Sequence, residues 1–239
     1  MPPQQAAAGQ PSDVETGPRP ADQSARYVAP FVVFLAFLAL QSVLPLPLMA
    51  DFLLRTAVLG GVLLFYSRPV IRLRPAFPLS TILLGAAVFI VWIGPDLLFP
   101  HYRQHWVFQN ALTGAARTSM PTTALTEPWP LFLRVLRAAV ITPIVEELFW
   151  RAWLMRWLIS PRFSTVPLGA YSPSAFWLTA VLFASEHGPY WDVGLAAGIL
   201  YNWWMIRTKS LADCILAHAV TNGLLCAWVI ATHNWQYWL

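Results

Sequence analysis

Apolar residues fall into seven runs, at about 27–49, 52–67, 79–99, 130–158, 174–187, 190–206 and 211–233. Crossing the hydrocarbon core of a bilayer takes about 20 apolar residues as a helix, and runs below about 17 are often partial or re-entrant. The pattern predicts an all-α fold, a polytopic transmembrane helix bundle of about seven spans. The range is six to eight, because the second run and the two around His187 are short.

Composition agrees. The chain of 239 residues is 57% hydrophobic and 11% charged, with mean hydropathy +0.54, where ordinary soluble domains carry about 25% charged residues. The net charge of +4 comes almost entirely from arginines at the ends of apolar runs, Lys209 being the single lysine. No basic cluster interleaved with stacking aromatics offers a nucleic-acid face, and thirteen Trp suit the aromatic belts of a membrane protein.

The first 26 residues are polar and rich in Pro, Gln, Ala and Gly, and read as a disordered tail. No charged-then-apolar leader precedes them, so a cleaved signal is not expected. Arginines set an orientation. With the N-terminus cytoplasmic, Arg68, Arg72, Arg74, Arg162, Arg207 and Lys209 fall inside, and the long connection 100–129 falls outside with Arg103 and Arg117. Arg134 and Arg137, at the outer end of the fourth run, go against this scheme. Cys214 and Cys226 share the last run; twelve residues is roughly 18 Å of helical rise, too far for a disulfide.

His101 and His105, four apart in the outer connection, share a helix face. Without a third ligand nearby they read as interfacial histidines before they read as a metal site. Gly194 and Gly198 form a GxxxG that lets its helix pack closely on a neighbour.

The candidate chemistry lies in the later runs. EELFWR places Glu146, Glu147 and Arg151 between AAVITPIV and AWLMRWLI. Ionised groups cost about 2.5–3.5 kcal/mol each at mid-bilayer, so three left unpaired would cost on the order of 7–10 kcal/mol. They must pair or line a wet cavity. Glu147 and Arg151, at i,i+4, can pair, whereas Glu146 is turned about 100° away and is free to project into a cavity. Phe183 and His187 share a stripe on the next helix, with Glu186 beside them. His218 and Asn222 share one on the last, with Asp213 near its start. Each item alone has a plain structural reading: an ion pair, or an interhelical hydrogen bond. Together they supply a carboxylate, two imidazoles and a carboxamide, a set able to hydrolyse an amide. The glutamate takes a proton from water, or a metal held by Glu146, His187 and His218 acidifies that water. Zn²⁺ or another divalent ion suits this donor set, and spacing alone leaves both routes open. Asn222 and a histidine can stabilise an oxyanion.

The three stripes, EExxxR, FxxxH and HxxxN in that order, resemble the signature of the CAAX protease and bacteriocin-processing (CPBP, or Abi) family of intramembrane proteases, which includes the type II CAAX prenyl endopeptidases. The linking run GLAAGILYNWWMIRTKSLADCILAHAVTN is similar to that family too, and the resemblance covers about residues 135–225. It implies an intramembrane endopeptidase acting on a membrane-associated, in some relatives prenylated, protein or peptide. By that resemblance Glu146 activates water with His187, His218 and Asn222 contact the oxyanion or a metal, and Glu147 and Arg151 support the site. Ala152 stands where many members have glycine. The expected organisation is a tail at 1–26, N-terminal helices and loop at 27–129, and a catalytic bundle at 130–239. The Arg-rich, Lys-poor chain reads as a multi-pass protein of a bacterial inner membrane. A proton-coupled transporter or channel using the same buried Glu and His is the alternative, although no repeated halves are visible. A non-catalytic immunity or scaffold protein of the same family is another.

Overall fold

The computed structural model describes residues 23–40, 43 and 46–238, and among them it is helical without strands. Most of the expected tail therefore lies outside the described residues. Seven main helices follow the seven apolar runs: α1 Ser24–Leu40, α2 Leu48–Val70, α3 Pro78–Leu98, α4 spanning 128–157, α5 Pro173–Ser185, α6 Trp191–Thr208 and α7 Leu211–Thr232. By length and composition α2, α3 and α7 are long and apolar enough to cross a membrane, and α1 and α5 are shorter apolar helices.

The boundary between the first two runs moved. Within the run expected at 27–49, α1 is described to Leu40 and a new helix, α2, starts at Leu48, directly after Pro47. Proline donates no backbone hydrogen bond and disfavours a helical residue before it, so Pro47 suits the start of a helix. Asp51 lies inside α2 and pairs with Arg55 one turn on at 2.7 Å.

The core forms where α1 and α7 pack on α4, and α3 packs on α7 in turn. Phe31 of α1 stacks on Phe149 of α4 at 4.0 Å and meets Trp150 edge-on. On the other side, the Thr221 hydroxyl of α7 donates to the Gly85 carbonyl of α3 at 2.9 Å, which holds those two backbones together. Asp213 also ties α7 to α3. Its carboxylate accepts from the Ala76 and Phe77 amides and the Thr81 hydroxyl at 2.6–2.9 Å, and its own amide is capped by Ser210. That ring of donors gives Asp213 a structural post away from the candidate site.

The connection after α3 is folded back by one buried arginine. Arg103 binds Asp96 of α3, Asp192 of α6 and the Pro189 carbonyl, and Tyr102 donates to Asp192 at 3.0 Å. Burial, reinforced by that bond to Asp192, raises the Tyr102 phenol above its ordinary range. The loop is thus pinned to the end of α3 and the start of α6.

Candidate active site

The helix that carries EELFWR is not uniform. Wide π turns occupy Arg137–Ile141 and Leu148–Leu154, on either side of a regular stretch, Thr142–Glu147. Such turns are frequent at functional sites, and the second begins directly after Glu147 and contains Arg151.

The two adjacent carboxylates have different surroundings. Glu147 and Arg151 are both 0% exposed. Glu147 Oε1 accepts Arg151 Nη1 at 3.0 Å and His218 Nδ1 at 2.9 Å. Arg151 Nε donates to Asn202 Oδ1 at 3.1 Å, and the guanidinium lies over the Phe183 ring, 4.3 Å from its centre. A buried charge this enclosed persists only when paired, and one glutamate oxygen serves both the guanidinium and the imidazole. Glu146, also buried, has no hydrogen-bond partner at Oε2.

His187 sits at the end of α5, its Nδ1 2.7 Å from the Phe183 carbonyl. A carbonyl only accepts, so Nδ1 carries the hydrogen and Nε2 keeps its lone pair. Trp92 of α3 approaches the ring edge-on at 5.2 Å. The two glycines of α6 make room on the other side. A Cβ at Gly194 would stand 3.1 Å from the His187 ring, and one at Gly198 would stand 3.2 Å from Phe183. The GxxxG of α6 therefore packs directly against the FxxxH stripe of α5.

His218 is oriented by two partners, Glu147 at Nδ1 and Tyr201, which stacks on its ring at 5.1 Å. The Tyr201 hydroxyl donates to Thr221 at 2.8 Å. One turn past His218, Asn222 Nδ2 donates to the Ala138 carbonyl at 2.9 Å, which leaves a second N–H on that amide.

Glu146, His187, His218 and Asn222, from three helices, line one inner cavity of about 160 Å³. A wider cavity of about 490 Å³ shares Trp92, Glu146, His187 and Asn222 with it, and Glu186 lines only the wider one. Glu147 and Arg151 line neither cavity and stand behind the site. Tyr201, Asn202 and Trp92 are additions that motif reading did not supply. Uncharged side chains inside apolar helices carry no spacing signal, and their partners lie far away in the chain.

Among the described residues, no group of three or more His, Cys, Asp or Glu side chains is arranged to hold a metal ion. Glu146, His187 and His218 share a cavity without forming a ligand cage, and His101 and His105 acquire no third ligand. Cys214 and Cys226 are free and buried.

Residues 128–224 match a protein-family model described as Rce1-like, type II CAAX prenyl endopeptidase Rce1-like. All three polar stripes lie inside the matched segment, which ends two residues beyond Asn222. Comparison with curated proteins and with solved structures gave no match.

Proposed function

We propose, from the premise that residues 128–224 match the type II CAAX prenyl endopeptidase family, that this chain is an intramembrane endopeptidase in which Glu146 activates the attacking water. The observation that carries the reading is the shared inner cavity of Glu146, His187, His218 and Asn222.

In this mechanism the carboxylate of Glu146 takes a proton from a water that also donates to His187 Nε2. The water oxygen forms a bond to the carbonyl carbon of the substrate, and the carbonyl π electrons move to its oxygen. Asn222 donates its second N–H to that oxyanion, and His218, held at Nδ1 by Glu147, lines the same cavity. Fixed donors aimed at developing charge are the largest contribution in many such sites. Glu146 then passes its proton to the amide nitrogen, the C–N bond breaks, and a carboxylate and an amine leave. Glu147 and Arg151 hold His218 in place. Every step uses side chains of this chain and water.

The substrate is a protein or peptide held at the bilayer, in keeping with the prenylated substrates that the family's description names. The seven helices cross the membrane in turn, with a cytoplasmic N-terminus and the connection 100–127 on the opposite side, in a bacterial inner membrane. Residues 27–129 form a supporting half and 130–239 the catalytic half.

The test is cleavage of membrane-anchored peptide libraries by the purified chain in liposomes, with mass spectrometry of the products in H₂¹⁸O. Direct attack by water puts one ¹⁸O into the new carboxylate, and added hydroxylamine traps no acyl-enzyme. Cys226 also lines the inner cavity, so Cys226→Ser is the companion variant. Activity that survives Glu146→Gln and dies with Cys226→Ser would refute the reading.

A further inference from the structure

The first wide turn of α4 begins at Arg137, and Pro143 lies just beyond it, three residues before Glu146. Together they change which backbone groups are free. In a regular helix the Ala138 carbonyl would accept from the amide four residues on, at Thr142. Here the Thr142 N–H donates instead to the Arg137 carbonyl, five residues back. Under that wider spacing the Ala138 carbonyl would accept from residue 143, and residue 143 is a proline, which has no N–H. The Ala138 carbonyl therefore loses the donor of either pattern.

A carbonyl freed in this way inside an apolar bundle is taken up by a neighbouring helix or side chain, because a bare one is costly there. Its partner is Asn222 of α7, 84 residues further along the chain, whose Nδ2 donates to it at 2.9 Å. A carbonyl only accepts, so this bond fixes which end of the carboxamide faces α4. Ala138, Thr142 and Asn222 line both the inner and the wider cavity, in company with Glu146 and His187. The bond thus sits in the wall of the site itself.

We infer that Pro143 is a positioning residue for the reaction. By withholding an amide hydrogen it leaves the Ala138 carbonyl to hold Asn222, which turns the second N–H of that carboxamide toward the cavity. Pro143 lines neither cavity and acts through the backbone alone. This role rests on Asn222 serving as the oxyanion donor, and it explains why that side chain keeps one orientation. A residue with an N–H at position 143 would supply a backbone donor to Ala138 under either spacing. It would donate directly in the wide turn, or it would return the Thr142 N–H to Ala138 in a regular helix.

The experiment compares the full chain with Pro143→Ala in detergent, each labelled with ¹⁵N in its four asparagine side chains, Asn110, Asn202, Asn222 and Asn234. The Asn222 amide signal is identified by its absence from Asn222→Ala. In Pro143→Ala that signal should shift toward a free carboxamide, and its hydrogens should exchange with water about fivefold faster, the factor for one hydrogen bond of ordinary net strength. Cleavage supplies the second readout. For Pro143→Ala, kcat should fall about tenfold with KM unchanged, and the substitution should cost nothing further once Asn222 is already alanine. Pro143→Ser also restores the N–H and should act like Pro143→Ala, which covers the case where one of the two fails to fold. An Asn222 signal that does not move in the folded variants overturns the inference, as does an equal loss of kcat with and without Asn222. Should the parent chain cleave no peptide, the reading as a peptidase fails, and the amide signal alone then decides the role of Pro143.

Discussion

The imidazole of His218 and the guanidinium of Arg151 are held by a single atom, Oε1 of Glu147, at 2.9 and 3.0 Å. Glu147 is thereby committed on that oxygen and stands behind the cavity that its neighbour Glu146 lines, and each carboxylate keeps its Oε2 without a partner.

Glu147→Ala should destabilise the protein by about 3–5 kcal/mol, because it strands the fully buried Arg151. Thermal unfolding in detergent measures this. A melting temperature equal to that of the parent would show that the pair carries no structural weight.

Glu146→Gln keeps the shape and removes the base. Cleavage should fall by about 10²–10⁴-fold, the usual contribution of a general base, with the melting temperature unchanged. Full activity in this variant would end the assignment of Glu146 as the base.

The helix positions and the Glu147–Arg151 pairing were legible because both depend on short spacing: apolar runs of membrane length, and i,i+4 on one face. The start of α2 at Leu48, after Pro47, was missed because hydropathy counts Leu46, Pro47 and Leu48 as part of a greasy run. Arg134 and Arg137, which go against the orientation scheme, both line an internal cavity. Asp213 looked like a member of the polar stripe of α7, but its carboxylate turns to the start of α3. Sequence spacing within a helix cannot say which neighbour a stripe will meet. Asn202 shows the same limit, with a partner 51 residues away.

Asn202→Ala removes the acceptor of Arg151 Nε and the donor to the Phe176 carbonyl. A buried donor left unsatisfied costs about 1–3 kcal/mol, so stability should drop by that order. An unchanged unfolding midpoint would mean that water replaces the carboxamide.

Gly194→Ala puts a methyl group 3.1 Å from the His187 ring, whereas Gly223→Ala meets only Ala139 at 4.0 Å. Displacement of a catalytic group by about 1 Å can reduce turnover about 100-fold. Gly194→Ala should lose at least tenfold in kcat, and Gly223→Ala should not. Equal turnover in the two variants would show that His187 has slack.

The burial of the candidate site inside an apolar helix bundle has a kinetic consequence. A substrate that reaches it from the bilayer is present as a mole fraction of the lipid, so its molarity in water is irrelevant to the rate. Diluting enzyme and substrate together in more lipid should slow turnover even when every aqueous concentration is constant, and adding buffer should do nothing.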